Sequence, residues 1–264
     1  MQVVSVENLL DGMKTAGKIA LEAQRKMSYS DRGYKGDGSV ITETDKKVED
    51  HLFEQVAHLY PEANILTEET VRSFDPEKPY TFAIDPIDGT DAFSQGMSGW
   101  CISIGLLDQE LSPIAGIVFS PGLELLFFAD VGKRATLNGT EIPVPSSLES
   151  LSEKSNIMVP SRIHKQIDLR SYPGKIRSIG SAALHLCFPL IYPGVFGTIE
   201  SHGAHIWDIA GSHAVNLSLA FDFEYLDGRR IDYSTMTDGS SVGDIILAGS
   251  KQRINELRKV LARV

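Results

Sequence analysis

The sequence predicts an α/β protein built as an α+β first half (1–145) and an α/β second half (146–264). Three observations carry this. The runs CISIGLL (101–107), IAGIVFS (114–120) and ELLFFADV (124–131) are strand-like, with Pro121-Gly122 and Asn138-Gly139 as turn signals, the pattern of an antiparallel meander. Short apolar runs at 157–159, 177–179, 197–200, 223–226 and 244–249 alternate with helical patterns at 181–191, 208–220 and 251–263. The polar Pro/Ser-rich stretch 143–155 separates the halves.

Taken in order, Val6, Leu9, Leu10, Met13, Ala16, Ala20, Ala23 and Met27 recur at helical spacing, so the N-terminal segment reads as a core-facing helix with Ser5 as N-cap. The Gly/Lys/Asp stretch 31–39 reads as a mobile surface loop. A second helix follows, capped by Asp45 or Thr44, with Val48, Leu52, Phe53, Val56 and Leu59 as its apolar stripe and Pro61 as its stop. Residues 81–84 form a short buried strand that ends at Asp85-Pro86.

The 264 residues carry 35 Asp+Glu against 25 Lys+Arg, a net charge of −10, which argues against nucleic acid and anionic membranes as partners. With 42% hydrophobic and 23% charged residues the chain reads as a globular protein, and its longest apolar runs fall far short of a membrane span. Cys101 and Cys187 lie in separate apolar segments and form no CxxC pair. They read as buried structural thiols of a reducing cytoplasm, and the N-terminus has no secretion-signal pattern.

The densest chemistry is IDPIDGTDAF (84–93). Asp85 and Asp88 sit three apart across a proline, Gly89 lets backbone approach a ligand, and Thr90 opens a helix. Alone, these residues also suit an ordinary turn. Glu68 and Glu69 follow a short apolar run in LTEET (66–70), and Asp208 starts a helix in IWDIAG (206–211). Glu69 also reads as solvated, and Asp45 and Asp208 as helix caps. Converging carboxylates repel one another, and a hard divalent ion with oxygen ligands relieves that repulsion, so magnesium or manganese is the natural choice. His202, His205 and His213 lack zinc-ligand spacing. An acidic protein handling an anionic substrate needs such a cation, which favours phosphate chemistry.

Together DPIDGTDAF (85–93), LTEET, DGSVITETDKKVE (37–49) and HIWDIAG (205–211) resemble the inositol monophosphatase family of magnesium-dependent, lithium-sensitive phosphatases. GKRATLNGTEI (132–142) and RSIGSAALHLC (177–187) extend the resemblance over nearly the whole chain. It implies a layered α/β/α/β/α sandwich shared with fructose bisphosphatases, and a homodimer.

Carried over by resemblance, Glu68, Asp85 and the Ile87 carbonyl hold one Mg2+, and Asp85, Asp88 and Asp208 a second. A third, looser ion lies near Glu68, with Glu69 contributing through water, and Mn2+ is a substitute. Thr90 and Asp45 match the pair that orients and deprotonates the attacking water, and the Gly89 and Thr90 amides hold phosphate oxygens. Gly180, Ser181 and Ala182 match the substrate loop, Glu200 a contact to sugar-like hydroxyls, and Lys35 a lysine near the metal site.

Three positions depart from the family pattern. Thr67 stands where glycine is usual, Asp91-Ala92 replaces commoner pairs, and 218–228 lacks the usual Ala-Gly-Gly. The expected activity is hydrolysis of a small phosphorylated polyol, myo-inositol monophosphate first. The basic segment 154–177, with its SRIH (161–164), leaves open a 3′(2′),5′-bisphosphate nucleotide, and fructose 1,6-bisphosphate is a further alternative. A non-catalytic binder of metal and phosphate ligands is disfavoured because Asp45 and Thr90 are both present. A glycosidase would not need this many acids.

Overall fold

The computed structural model describes residues 4–27, 32–36, 40–70, 72–144 and 150–264. A 3-10 turn at Glu7–Leu9 leads into helix α1 (Leu10–Gln24). Ser5 is not its N-cap. The Ser5 hydroxyl donates to Asp130 Oδ2 at 2.7 Å and accepts from Glu7 N at 3.2 Å, so it ties the chain to the neighbouring sheet while the 3-10 turn starts the helix. Met27 lies beyond the helix end but packs on the core.

The expected loop at 31–39 is partly a hairpin, in which β1 (Gly33–Tyr34) pairs antiparallel with β2 (Val40–Ile41). Residues 31 and 37–39, and with them the mobility expected there, lie outside the described residues. Helix α2 (Glu43–Leu59) is capped by Thr42 rather than by Thr44 or Asp45. Asp45 sits at the third helical position and completes a capping box, accepting from Thr42 N at 2.8 Å and Thr42 Oγ1 at 2.5 Å. Val48, Leu52 and Val56 are buried, whereas Leu59 is 38% exposed at the helix end before Pro61.

The first half is organised by a seven-stranded sheet in sequence order: β3 (Ala63–Thr67), β4 (Tyr80–Asp88), β5 (Cys101–Leu107), β6 (Pro113–Ser120), β7 (Leu125–Ala129), β8 (Thr136–Leu137) and β9 (Thr140–Glu141). β3 runs parallel to β4, and the meander from β4 onward is antiparallel, as expected. β4 does not stop at Ile84. Its pairing with β5 continues from Asp85 opposite Ser103 to Asp88 opposite Cys101, across a register shift that takes up one extra residue. Pro86, which lacks an N–H, is accommodated in that bulge.

The second half holds a five-stranded sheet of β10 (Asn156–Met158), β12 (Lys175–Arg177), β13 (Val195–Glu200), β14 (Asp222–Tyr225) and β15 (Ile246–Gly249), in the order β12-β10-β13-β15-β14. Helix α4 (Ala182–Ile191), capped by Ser181, and helix α5 (Ile206–Leu217) lie between the two sheets. Helix α6 (Lys251–Val260) stops short of the expected 263, because Ala262–Arg263 becomes β16 and pairs with β11 (Ile167–Asp168). Of the boundary stretch 143–155, residues 145–149 lie outside the described residues.

Side-chain alternation explains the layers. Phe82 and Ile84 of β4, with Ile102 and Ile104 of β5, face α1 and α2, while Ala83 packs with Leu186, Ile206 and Ile209 from α4 and α5. Ile254 and Leu257 of α6 cover the outer face of the second sheet against Ile157, Phe196 and Leu247. The result is a five-layer α/β/α/β/α sandwich. Glycines bring α5 unusually near the first sheet: a Cβ on Gly116 would lie 2.2 Å from the Gly211 carbonyl oxygen, and one on Gly105 would lie 2.5 Å from Ala210 Cβ. That close approach carries the start of α5, with Asp208, to the end of β4.

Candidate active site

Three carboxylates meet where β4 ends against α5. Asp85, Asp88 and Asp208 each offer an oxygen lying within 4.8 Å of the others, a group that can hold a metal ion. Asp85 accepts from Ile87 N at 2.9 Å across the bulge, and Asp208 accepts from His205 N at 2.6 Å. Asp208 therefore serves as a helix-start acceptor as well as a member of the cluster.

Asp88 is the most heavily hydrogen-bonded of the three. Its Oδ2 accepts from Ser181 Oγ at 2.6 Å and Ala183 N at 2.7 Å, and its Oδ1 accepts from Ala182 N at 3.1 Å.

The electrostatics show a site short of positive charge. Burial, reinforced by neighbouring Asp208, pushes Asp88 up to about 8 despite its hydrogen-bond donors. Burial, then Glu68, Asp88 and Asp208, hold Asp85 well above the aspartate range. Burial raises Glu68 to about 7, with Lys35 opposing and Asp208 and Glu69 adding to the rise. Oxygen donors crowded and desolvated in this way fit a hard divalent cation, which would reverse each of these shifts.

Lys35 bridges Glu68 Oε1 at 2.7 Å and Glu69 Oε1 at 2.8 Å. Behind it, Glu69 N donates to buried Glu49 Oε2 at 2.7 Å, and Arg72 reaches Thr67 Oγ1 at 2.5 Å while stacking over Phe53 at 3.9 Å. Thr67, the departure from glycine, thus anchors the turn that presents the two glutamates.

Thr90 Oγ1 sits 3.1 Å from Asp45 Oδ1 and 3.0 Å from the Ile87 carbonyl oxygen. Both donors from Thr42 go to Asp45 Oδ2, which leaves Oδ1 for Thr90. Burial raises the Asp45 pKa. Gly89 caps the short helix α3 (Thr90–Ser94) with φ +94°, and a Cβ there would lie 3.1 Å from the carbonyl oxygens of Gly99 and Gly180.

A cleft of about 530 Å³ opens over these groups and takes in Glu68, Asp85, Ile87, Asp88, Gly89, Thr90 and Asp208. The residues expected on the substrate side do not line it. Gly180 packs against Gly89 and Gly99, and Ser181 and Ala182 hold Asp88 from behind. Glu200 is only 2% exposed; Oε1 accepts from Ser201 N at 2.8 Å, and Oε2 lies 3.7 Å from His185 Nδ1. Instead the cleft wall is completed by Arg32, Tyr34, Ser161 and Arg162. Arg162 and Ser161 belong to the SRIH segment, which was a signal for them; nothing in the sequence singled out Arg32 or Tyr34.

A five-layer α/β/α/β/α sandwich with a carboxylate cluster where β4 meets α5 has a site that could hold a metal ion. The inositol monophosphatase family model matches residues 5–233, and the chain belongs to that family of phosphatases. It is 31% identical over 231 residues to inositol monophosphatase 3 of Solanum lycopersicum, covering 80% of this chain and 83% of that one. It is 28% identical over 246 residues to the fructose-1,6-bisphosphatase/inositol-1-monophosphatase of Aquifex aeolicus, covering 89% and 91%. Its fold matches the extragenic suppressor protein SuhB of Bartonella henselae with a TM-score of 0.82 at 22% identity, over 97% of each chain. An IMPase/NADP phosphatase complexed with Mg2+ and phosphate matches with a TM-score of 0.79 at 20% identity, over 96% and 92%.

Proposed function

We propose that this protein is a Mg2+-dependent phosphomonoesterase of small phosphorylated polyols, with myo-inositol monophosphate as its first candidate substrate. The convergence of Asp85, Asp88 and Asp208 within 4.8 Å beside the Thr90–Asp45 contact carries this reading. Glu68, Asp85 and the Ile87 carbonyl would hold one ion, Asp85, Asp88 and Asp208 a second, and Glu68 with Glu69 a looser third, Mn2+ substituting. When bound, magnesium supplies the positive charge that acidifies the attacking water, neutralises the phosphate and stabilises the leaving alkoxide.

The chain's own residues do the rest. Asp45 Oδ1 accepts the Thr90 hydroxyl proton, which turns the Thr90 lone pairs toward an incoming water and provides a buried carboxylate for its proton. The Gly89 and Thr90 amides hold phosphate oxygens. A non-catalytic binder would not need this proton path. The reading also takes the protein as a cytoplasmic homodimer, whose 1–145 half supplies Glu68, Asp85, Ile87 and Asp88 and whose 146–264 half supplies Asp208. Both cysteines are free and buried, and among the described residues no helix is long and apolar enough to cross a membrane.

One observation favours a second reading, in which the substrate carries a second anionic group, as a bisphosphate nucleotide or fructose 1,6-bisphosphate does. Arg162 lines the cleft, whereas Arg170 of the same basic segment is held by Asp168 at 2.6 Å. Phosphate release from myo-inositol 1-phosphate, 3′-phosphoadenosine 5′-phosphate and fructose 1,6-bisphosphate, by wild type and Arg162→Ala, separates the two readings. Preference for the inositol ester, unaffected by the substitution, supports the first. Preference for a bisphosphate, with KM raised about tenfold or more in Arg162→Ala, supports the second, since a charged hydrogen bond is worth roughly 1.5–3 kcal/mol.

A further inference from the structure

We propose that Ser181 is a positioning residue that fixes the Asp88 carboxylate for metal binding and so couples the docking of α4 to the metal site. This rests on the reading that Asp88 is a metal ligand.

The argument is one of lone pairs and direction. An ionised carboxylate has about four acceptor sites, two on each oxygen. Ser181 Oγ and Ala183 N both donate to Asp88 Oδ2, at 2.6 and 2.7 Å, and Ala182 N donates to Oδ1 at 3.1 Å. Oδ2 is thereby filled, and a single acceptor position on Oδ1 is left for a cation. Asp88 is restricted to one-oxygen coordination, with its rotation about the Cβ–Cγ bond locked from three sides.

These three donors come from the N-cap and first turn of α4, in the second half of the chain, while Asp88 sits on β4 in the first; the thiol of Cys101 on β5 is a fourth, weaker donor to Oδ2. The Ser181 hydroxyl is also the N-cap, accepting from Leu184 N at 3.1 Å, and it is completely buried. Its proton is therefore free to go to Asp88, and no water competes for it. Buried Cys101 Sγ, 3.3 Å from Ser181 Oγ and 3.7 Å from Asp88 Oδ2, closes the remaining side. Ser181 thus points away from the cleft, and its effect on the reaction runs through the metal ligand it holds. Outer-shell partners of this kind typically contribute 10–100-fold to metal affinity.

Ser181→Gly tests this, because glycine is nearly as good an N-cap as serine and costs the helix only a few tenths of a kcal/mol while deleting the donor to Asp88. Ser181→Thr keeps the hydroxyl. Mn2+ binding by electron paramagnetic resonance, with Mg2+ as competitor, reads metal affinity without reference to turnover, and melting of the metal-free proteins reads the fold. The expected result is a dissociation constant about 10–100-fold weaker in Ser181→Gly, recovery in Ser181→Thr, and metal-free midpoints within a few degrees of wild type. Wild-type affinity in Ser181→Gly, or equal loss in both variants, overturns the positioning role. Failure of wild type itself to bind Mn2+ or Mg2+ removes the metal-site reading, and this inference falls with it.

Discussion

The end of β4 and the segment 178–200 both carry residues expected at the site, yet only the first faces the cleft. Asp85, Ile87 and Asp88 at the end of β4 and Gly89 and Thr90 at the start of α3 all reach the cavity, and α5 delivers Asp208 to them. Along the second segment, Ser181 and Ala182 turn back onto Asp88, and Glu200 packs toward His185. In both segments direction is set by local geometry: the bulge between Asp85 and Asp88 and the left-handed Gly89 keep the first on the cleft, while the hydrogen bonds of Ser181 and Glu200 hold the second away from it.

The comparison is most sharply tested at Asp88, where the two regions touch. Asp88→Asn is expected to lower kcat/KM by at least about 100-fold, close to 3 kcal/mol of transition-state stabilisation, with the circular dichroism of the folded protein retained. A variant keeping more than about a tenth of wild-type activity would separate Asp88 from the reaction.

A second effect is the pH dependence of stability in the metal-free protein. Asp88 is pushed up to about 8 and Glu68 to about 7, so between the ordinary carboxylate range near 4 and those values the folded state binds more protons than the unfolded state. Stability should therefore fall as pH rises from about 5 to 8, and saturating Mg2+ should flatten that fall by supplying the counter-charge. Thermal melting across this range, with and without Mg2+, checks the sign. A midpoint that rises with pH in the metal-free protein would show that the acids are not crowded as described.

The smallest expected effect separates the two segments most cleanly. Glu200 Oε1 accepts from Ser201 N at 2.8 Å, while Oε2 lies 3.7 Å from His185 Nδ1, beyond hydrogen-bond distance. Glu200→Ala removes the acceptor of Ser201 N and should cost about 1–3 kcal/mol of stability with KM unchanged. A raised KM with unaltered melting would return Glu200 to the substrate side.

Much of the frame was legible in one sequence. The apolar stripes of α1 and α2, the meander and the alternating second half follow from periodicity, and the acids that line the cleft lie in ordered motifs. The end of β4 was not, because Pro86 reads as a breaker until β5 is beside it to accommodate a bulge. Nor was the reason α5 reaches the site: Gly105, Gly116 and Gly211 are far apart in sequence and become one contact only in the folded layers. The direction of Glu200 was not legible for the same reason, since it packs against His185, 15 residues earlier and on another element. Arg162 was visible only as one charge in a basic run, and its place on the cleft wall depends on the turn that opens at Ile163–Lys165.

The central claim is that crowded carboxylates between two sheets serve a metal-dependent phosphoryl reaction. It is tested most directly by phosphate release from myo-inositol 1-phosphate in Mg2+, in chelator, and after Mg2+ is restored. The account predicts turnover in Mg2+, none in chelator and full recovery; turnover that persists undiminished in chelator would contradict it.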